Sequence, residues 1–439
     1  MSNSKRNKAL FGWILIILAL FTFSSTPFRQ FASIPEKIRI VQGSLEQLSF
    51  AMPVNAKVVT SDPNVVHLNG TQTGMENHDL RKPLTIEPIK PGDTQVTLKV
   101  GNIPVKTVDV EVLPEVKLIP GGQSIGVQLQ TSGVLVVGHH LIEGQGRKYS
   151  PGEQSNIKVG DRIMKVNDVS IRNMEQVGKL VNDSGNKGDP VRLEVIRGKE
   201  KVELKIKPAY DEKEKTYRLG VYIRDSAAGV GTLTFYDPKT KNYGALGHVI
   251  SDMDTGKPIV VGSGHVVQSS VTSIEKGQSG SPGEKYAIFK NENVKLGNIE
   301  KNTPFGIFGK MDKFPDHSVG MKPIPIALSE QVKTGPAEIY TVVNGQKVEK
   351  FKIEIVNVVQ QKFPSTKGLI IKITDPRLLD KTGGIVQGMS GSPIIQNGHL
   401  IGAVTHVFVN DPTSGYGTYI EWMLKDAGYH LEKEQPKAS

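Results

Sequence analysis

In a chain without cysteine, chemistry has to come from hydroxyls, imidazoles, carboxylates and amines. One hexapeptide gathers what a hydroxyl nucleophile needs: Gly388-Met389-Ser390-Gly391-Ser392-Pro393. A serine attacks a carbonyl only when a base takes its proton and donors meet the oxyanion that forms. Glycines on both sides of Ser390 permit a tight turn that aims Oγ outward and points the N–H groups of Gly388 and Ser390 at one spot. Ile385-Val386 leads into the turn. Pro393-Ile394-Ile395, an Asn397-Gly398 hairpin and Leu400-Ile401-Gly402-Ala403-Val404 lead out of it. The same pattern recurs at Gly277-Gln278-Ser279-Gly280-Ser281-Pro282 among Glu275, Lys276, Glu284 and Lys285, where it reads as a charged surface loop with no buried strand beside it. The bland reading of either hexapeptide is an ordinary Gly-Ser turn.

The strand, elbow and hairpin order around Ser390 resembles the nucleophile region of chymotrypsin-like serine proteases, whose motif is G-x-S-G-[GS]-P. That family places its histidine earlier in the chain, often after small residues. His248, in Gly244-Ala245-Leu246-Gly247-His248-Val249, fits that order, and His265 in Gly262-Ser263-Gly264-His265 is a weaker candidate. His406 reads as a packed sheet residue, and the pair His139-His140 lacks the carboxylate spacing of a metal site. No H-E-x-x-H occurs, and neither a metal nor a cofactor is expected. A third group must accept the second imidazole N–H and hold the tautomer. Asp375, after the strand Leu369-Ile370-Ile371-Lys372-Ile373, and Asp252 and Asp254, close to His248 in sequence, are the carboxylates weighed for that role.

Elements must carry these residues to one place. The chain has 439 residues, 46 glycines, 26 prolines and only 6% aromatics, a profile of short strands and many turns over about three domains. The absence of cysteine excludes disulfide frameworks and thiolate chemistry. A net charge of +10 without a basic, aromatic-laced stripe speaks for an anionic surface nearby and against nucleic acid. Lys5, Arg6 and Lys8 precede an uncharged run from Ala9 to Phe28, so residues 1–30 read as an anchor or signal segment with the remainder outside the membrane.

Residues 36–115 alternate as strands, for example Thr94-Gln95-Val96-Thr97-Leu98-Lys99-Val100, punctuated by Asp62-Pro63-Asn64 and Pro91-Gly92-Asp93, and resemble a small immunoglobulin-like β-sandwich. Residues 116–210 carry Gly160-Asp161-Arg162-Ile163-Met164-Lys165-Val166-Asn167, which resembles the G-D-x-I-x-x-V-N element of PDZ domains. A helix should follow, capped by Asn173, with Gln176 at the capping-box position and Met174, Val177 and Val181 on one face. Gly121 to Val127 looks like the PDZ loop that holds a ligand's terminal carboxylate, which makes Gly122, Gln123, Ser124, Ile125 and Gly126 the expected peptide-binding residues. The charged stretch Asp211–Lys215 is a linker, and residues 216–430 form a further β domain.

Arg224 to Phe235, the Gly247-His248 element and the Gly388–Pro393 element together closely resemble the stage IV sporulation protein B peptidases of endospore-forming bacteria. The resemblance implies a mainly β chain: N-terminal hydrophobic segment, immunoglobulin-like sandwich, PDZ domain and chymotrypsin-like β-barrel. On the family's pattern His248, Asp375 and Ser390 fall on the triad, with Gly388 and Ser390 as the oxyanion hole. Asp375 is unusually near the serine for the chymotrypsin plan. The family is exported from the forespore, or anchored in its inner membrane, facing the intermembrane space. It cleaves itself in trans and cuts a membrane-bound regulatory protein that restrains an intramembrane metalloprotease, leading to sigma-K activation. The rivals are a catalytically silent PDZ adaptor and a general envelope quality-control protease, although the latter usually places its PDZ domain after the protease domain.

Overall fold

The computed structural model describes residues 34–431 apart from 51, 53, 145, 290–293, 316–318, 321, 362 and 430, together with Trp13, Arg29 and Ala32. The expected anchor or signal segment at 1–30 thus lies almost wholly outside the described residues. Among those residues no helix is long and apolar enough to cross a membrane. Contacts divide the described residues into one unit that ends at Val116 and another that begins at Lys117.

The first unit is a two-sheet sandwich. Five strands, including Asn55–Thr60, Gly92–Val100 and Ile103–Leu113, form one sheet, and Glu46–Leu48, Leu84–Pro88 and Val66–Leu68 form the other. Alternation decides the faces: Thr94, Val96 and Leu98 point inward while Gln95 and Thr97 do not. Ile40, Val58, Val96 and Leu98 from one sheet pack with Leu68, Leu84 and Ile86 from the other. Each such side chain contributes roughly 1.5–3 kcal/mol by leaving water.

The second unit begins with β1 (Ser124–His139), followed by α1 (Pro151–Gln154), β2 (Arg162–Val166), α2 (Met174–Lys187), β3 (Val191–Arg197) and β4 (Glu200–Ile206). The Asn173 side chain accepts from the Gln176 N–H at 3.0 Å and starts α2, and Gly188 in the left-handed region ends it. Val177 and Val181 are buried as the pattern predicts, whereas Met174, on the first turn, is 38% exposed. Asp161 is buried and closes the Gly-Asp turn by pairing with the Arg197 guanidinium at 2.8 and 2.7 Å. Val134, Val136, Ile163, Val181 and Leu193 make the core of this PDZ-like part.

β5 (Val221–Tyr236), β6 (Asn242–Ala245), β7 (Val261–Glu275) and β8 (Glu284–Phe289) follow. A barrel then closes from β9 (Gly335–Val342), β10 (Val348–Val358), β11 (Leu369–Ile373), β12 (Pro393–Gln396), β13 (His399–Phe408) and β14 (Asp411–Tyr419), in the order β9-β10-β11-β14-β13-β12. α3 (Pro376–Thr382) lies between β11 and β12. The expected β-barrel is therefore present as one closed six-stranded barrel. Residues 124–130, Val221–Tyr236, Asn242–Ala245, Gly306–Lys310, Lys295–Asn298 and Val261–Glu275 neighbour one another in that order around a second core of Ile125, Val127, Leu233, Tyr243, Val266 and Ile307, with the Gly297–Met311 bridge joining the ends, and the same sheet runs on into the PDZ-like strands.

The junction departs from the sequence boundaries. Lys117–Pro120 pairs with Ile324–Pro325 and with Tyr236 and Phe235. Residues 124–130 of β1 pair with β5 on one side and with β7 on the other, and only the later part of β1, from Val134, joins β2. Residues 117–130, expected within the PDZ unit, are thus central strands of the following sheet. β5 in turn reaches back, pairing Val221–Arg224 with Leu135–His139 and adding Val221 and Ile223 to the PDZ-like core.

Candidate active site

Non-local bonds build the turn that carries Ser390. Gly388 has φ 89° and Gly391 φ 94°. A Cβ on Gly391 would lie 2.1 Å from the Thr232 carbonyl oxygen, so only glycine fits there. Two threonines on β5 clamp the turn. Thr232 donates its backbone N–H to the Ser390 carbonyl at 3.0 Å and its hydroxyl to the Gly388 carbonyl at 2.7 Å, and the Thr234 hydroxyl donates to the Gly391 carbonyl at 2.8 Å. Gly391 N–H donates to Val404 and Ser392 N–H to Met389, which ties the turn to β13. These bonds use carbonyls. Among the described residues none accepts from the N–H of Gly388 or of Ser390, so both donors remain available for an oxyanion.

His248 reaches the same groove by a backbone reversal. β6 is followed by Leu246 and Gly247, both in the left-handed region at φ 72° and 69°. Leu246 is buried with its N–H on the Thr232 carbonyl, and this fixes a conformation that a side-chain-bearing residue seldom adopts. Ser390 and His248 line one groove of about 640 Å³ together with Ala227–Val230, Glu284–Ala287, Thr405 and His406. The Ser390 hydroxyl donates to the Thr405 carbonyl at 2.9 Å, so its bond to His248 is not formed in this resting state. His248 Nδ1 lies 2.9 Å from the Val249 carbonyl oxygen. A carbonyl can only accept, so Nδ1 carries the proton and Nε2 is left as the basic nitrogen. Burial holds this imidazole below the ordinary histidine range, against the opposing pull of the Val249 carbonyl, so it is neutral near pH 7.

The carboxylates are elsewhere. Asp375 does not line the groove and makes no hydrogen bond or ion pair with His248. It caps α3, accepting from the Arg377 and Lys352 N–H groups and pairing with the Arg377 guanidinium at 2.9 and 3.1 Å. That guanidinium holds its carboxyl down at about 2. The triad place that the family pattern gives Asp375 is therefore filled in this structure by a helix-capping carboxylate, because Asp-Pro at a helix start satisfies the orphan N–H groups locally. Asp252 and Asp254 are engaged by Arg224.

His406, expected to be sheet packing, faces the groove with its ring 5.5 Å from that of His248. Desolvation, then His248 and Lys367, hold it below the ordinary histidine range. Ser279 lies on the β7–β8 loop with its hydroxyl on the Asn410 carbonyl. β7 and β8 flank that loop, and Lys285, read from sequence as surface charge, is only 2% exposed. Its Nζ donates to the Thr341 hydroxyl at 2.7 Å, its backbone N–H donates to Gln387, and burial pushes it down to about 7. His265 lies on β7 outside the groove. His139 and His140 bond to the Ile157 and Leu141 carbonyls, and no metal-holding cluster occurs among the described residues.

The expected peptide-binding loop is also relocated. Gly121 and Gly122 donate to Thr234 and Leu233, Gln123 donates through Nε2 to Pro315, and Ser124 meets Ser269. Ile125 and Gly126 have strands on both edges. With Gln123, Ser124 and Ile125 buried and their ladders filled, Gly122 to Gly126 offer no free N–H cradle for a carboxylate. The sequence pattern is that of a PDZ loop, but pairing with β5 and β7 uses the groups such a loop would present.

Residues 215–424 match the SpoIVB peptidase S55 family and residues 124–207 match the PDZ domain family. A putative zinc metalloprotease of Clostridium acetobutylicum is 29% identical over 100 residues, 23% of this chain and 26% of that protein. Among solved structures, the Rv3671c protease of M. tuberculosis in its active form is similar at 16% identity with a TM-score of 0.29, over 46% of this chain and 75% of that one. Its inactive serine-to-alanine form gives 15% and 0.26, over 46% and 83%. The two family matches define a serine peptidase that carries a PDZ domain. More particularly, residues 215–424 carry the pattern of the SpoIVB peptidases.

Proposed function

We propose that the chain is an endopeptidase in which Ser390 is the nucleophile and His248 the general base. One observation carries the reading: Ser390 and His248 line one groove together with Gly388, and the N–H groups of Gly388 and Ser390 have no acceptor among the described residues. The Ser390 hydroxyl leaves the Thr405 carbonyl, passes its proton to His248 Nε2, and Oγ bonds to the substrate's carbonyl carbon. The two N–H groups hold the oxyanion. The imidazolium then protonates the leaving amine, and water repeats the sequence on the acyl-enzyme. The Val249 carbonyl fixes the tautomer in place of a carboxylate and supports the imidazolium less strongly than a full negative charge would.

The match of residues 215–424 to the SpoIVB peptidases supports a finer reading. The chain acts in sporulation, exported across or anchored in the forespore inner membrane and facing the intermembrane space. There it cleaves itself in trans and then cuts the regulatory protein of an intramembrane metalloprotease, in the step leading to sigma-K activation. A fluorophosphonate tests the chemistry, because it bonds only to an activated serine. Labelling of the wild type, abolished in Ser390→Ala and in His248→Ala, is the expected result. Unlabelled folded wild type would favour the silent adaptor. N-terminal sequencing of the mature protein from wild type and Ser390→Ala tests self-cleavage.

A further inference from the structure

We propose that the loop of residues 276–283, which repeats the Gly-x-Ser-Gly-Ser-Pro pattern of the nucleophile turn, is a positioning element for the oxyanion hole: together with Lys285 it holds the peptide between Gln387 and Gly388 in the orientation that turns the Gly388 N–H toward the substrate carbonyl. The inference rests on the serine-peptidase reading of Ser390 and His248 and extends it to what assembles the oxyanion donors.

The loop joins β7 to β8 and lies along the approach to the nucleophile turn. Gly277 N–H donates to the carbonyl of Thr382, the last residue of α3, at 2.8 Å. Gln387 N–H donates to the Gly283 carbonyl at 2.7 Å, and Lys285 N–H donates to the Gln387 carbonyl at 2.9 Å. Both backbone groups of Gln387 are therefore bonded, to residues two apart on the other segment, as in a parallel bridge. In a planar trans peptide the Gln387 carbonyl and the Gly388 N–H belong to one rigid unit and point in opposite directions. Fixing the carbonyl on Lys285 thus fixes where the Gly388 N–H points. Gly388 itself supplies no such restraint. At φ 89° it has no Cβ to resist rotation of that peptide, and a half-turn would put the Gln387 carbonyl oxygen where the oxyanion forms.

Close packing brings the loop to this place. A Cβ on Gly383 would collide with the Gly277 carbonyl oxygen, and one on Gly283 with the Glu275 carbonyl oxygen and the Gly277 nitrogen. Glycine lets the ends of the loop close on each other and lets the closed loop reach the approach. The tip, residues 278–281, is exposed. Gln278 and Ser281 bond to each other through both backbone groups at 2.9 Å. Gly280 N–H donates to the Val409 carbonyl at 2.8 Å, and the Ser279 hydroxyl donates to the Asn410 carbonyl at 3.0 Å. These two bonds grip the turn between β13 and β14, and the Pro412 carbonyl just beyond it accepts from Ile385 N–H at 2.7 Å. The approach is thus held at Thr382 and Gln387 by the loop and at Ile385 by the segment that the tip grips. The second hexapeptide braces the first, and its serine is a structural donor.

The test uses the full-length protein. Gly283→Ala forces the loop ends apart and draws the Gly283 carbonyl away from Gln387. An oxyanion donor acts on the transition state and not on bound substrate, so kcat on a peptide cut by the wild type should fall by about tenfold or more, with KM within about threefold. The acid limb of the pH profile, which reports His248, should stay at its wild-type position. Wild-type kcat in the folded variant overturns the proposal. So does a rise in KM that accounts for the fall in kcat/KM, or a moved acid limb, because the loop would then act on substrate binding or on His248. If calorimetry shows that Gly283→Ala does not fold, Gly280→Pro decides. A Cβ at that exposed position meets nothing within 4 Å, and proline there removes the N–H bonded to Val409. A fall in kcat of about threefold or more at unchanged KM supports the proposal, and wild-type kinetics overturns it. Wild type that labels with the fluorophosphonate and cuts peptide keeps the peptidase reading whatever the variants do. Wild type that does neither overturns that reading, and this proposal with it.

Discussion

An imidazole serves a serine only as the neutral ring with its free nitrogen toward the hydroxyl. In this chain the Val249 carbonyl, not a carboxylate, enforces that state. Two expectations belong to this scale. Asp375→Asn keeps an acceptable helix cap and should leave kcat/KM within about tenfold of wild type, whereas loss of a true triad acid costs about 10⁴. Steady-state kinetics on one peptide decides, and a fall of that larger size would return Asp375 to the triad. The second concerns pH. Because burial lowers the pKa of His248, kcat/KM should climb with pH through an apparent pKa below 6.5, the ordinary histidine value, and be level by neutrality. The linkage has the same sign. In the unfolded chain His248 binds its proton already near 6.5, so its contribution to stability is whole above that pH and declines as pH falls toward the folded pKa. An acid limb at or above 6.5 would show that the ring is charged in the resting enzyme.

At the scale of elements, β5 and β8 do the positioning. β5 clamps the serine turn through Thr232 and Thr234, and β8 holds the same turn from the other side through Lys285 N–H on Gln387. The Lys285 amine is buried with the Thr341 hydroxyl as its partner. With its pKa near 7 in the folded state and near 10.5 unfolded, the unfolded chain binds the extra proton across that interval, so stability should rise with pH from 7 toward 10.5. Lys285→Met removes this slope. Its melting temperature relative to wild type should be more favourable at pH 7 than at pH 10, and an equal difference at both values would mean the amine is not desolvated. Thr232→Val, which keeps the shape and loses the hydroxyl bond to Gly388, should lower kcat/KM by about tenfold by loosening the oxyanion donors.

At the scale of the molecule, the PDZ-like part and the peptidase exchange strands. β1 gives residues 124–130 to the peptidase sheet, and β5 gives residues 221–224 to the PDZ-like sheet. A fragment starting at residue 216, where the sequence places the domain boundary, lacks the strand between β5 and β7. It should fail to fold cooperatively or to label. A fragment of residues 117–439 keeps every partner of that sheet and should do both, since the sandwich has its own core. Calorimetry and labelling of the two fragments test this, and a folded, reactive 216–439 fragment would contradict the strand exchange.

What the sequence by itself determined is what short-range chemistry controls. The glycines around Ser390, the small residues before His248, the Asn173 cap and the alternation of Thr94 to Val100 each act within a few residues, and the structure contains the corresponding turn, helix and strands. Only the tertiary structure decided which strands neighbour one another. Strand pairing brings together residues a hundred or more positions apart, so a loop with the pattern of a PDZ carboxylate cradle is consumed as a central strand, and an aspartate at the family's triad position caps a helix. Threonine hydroxyls at 232 and 234 and the lysine at 285 gave no local signal for the same reason: each is satisfied by a partner far along the chain.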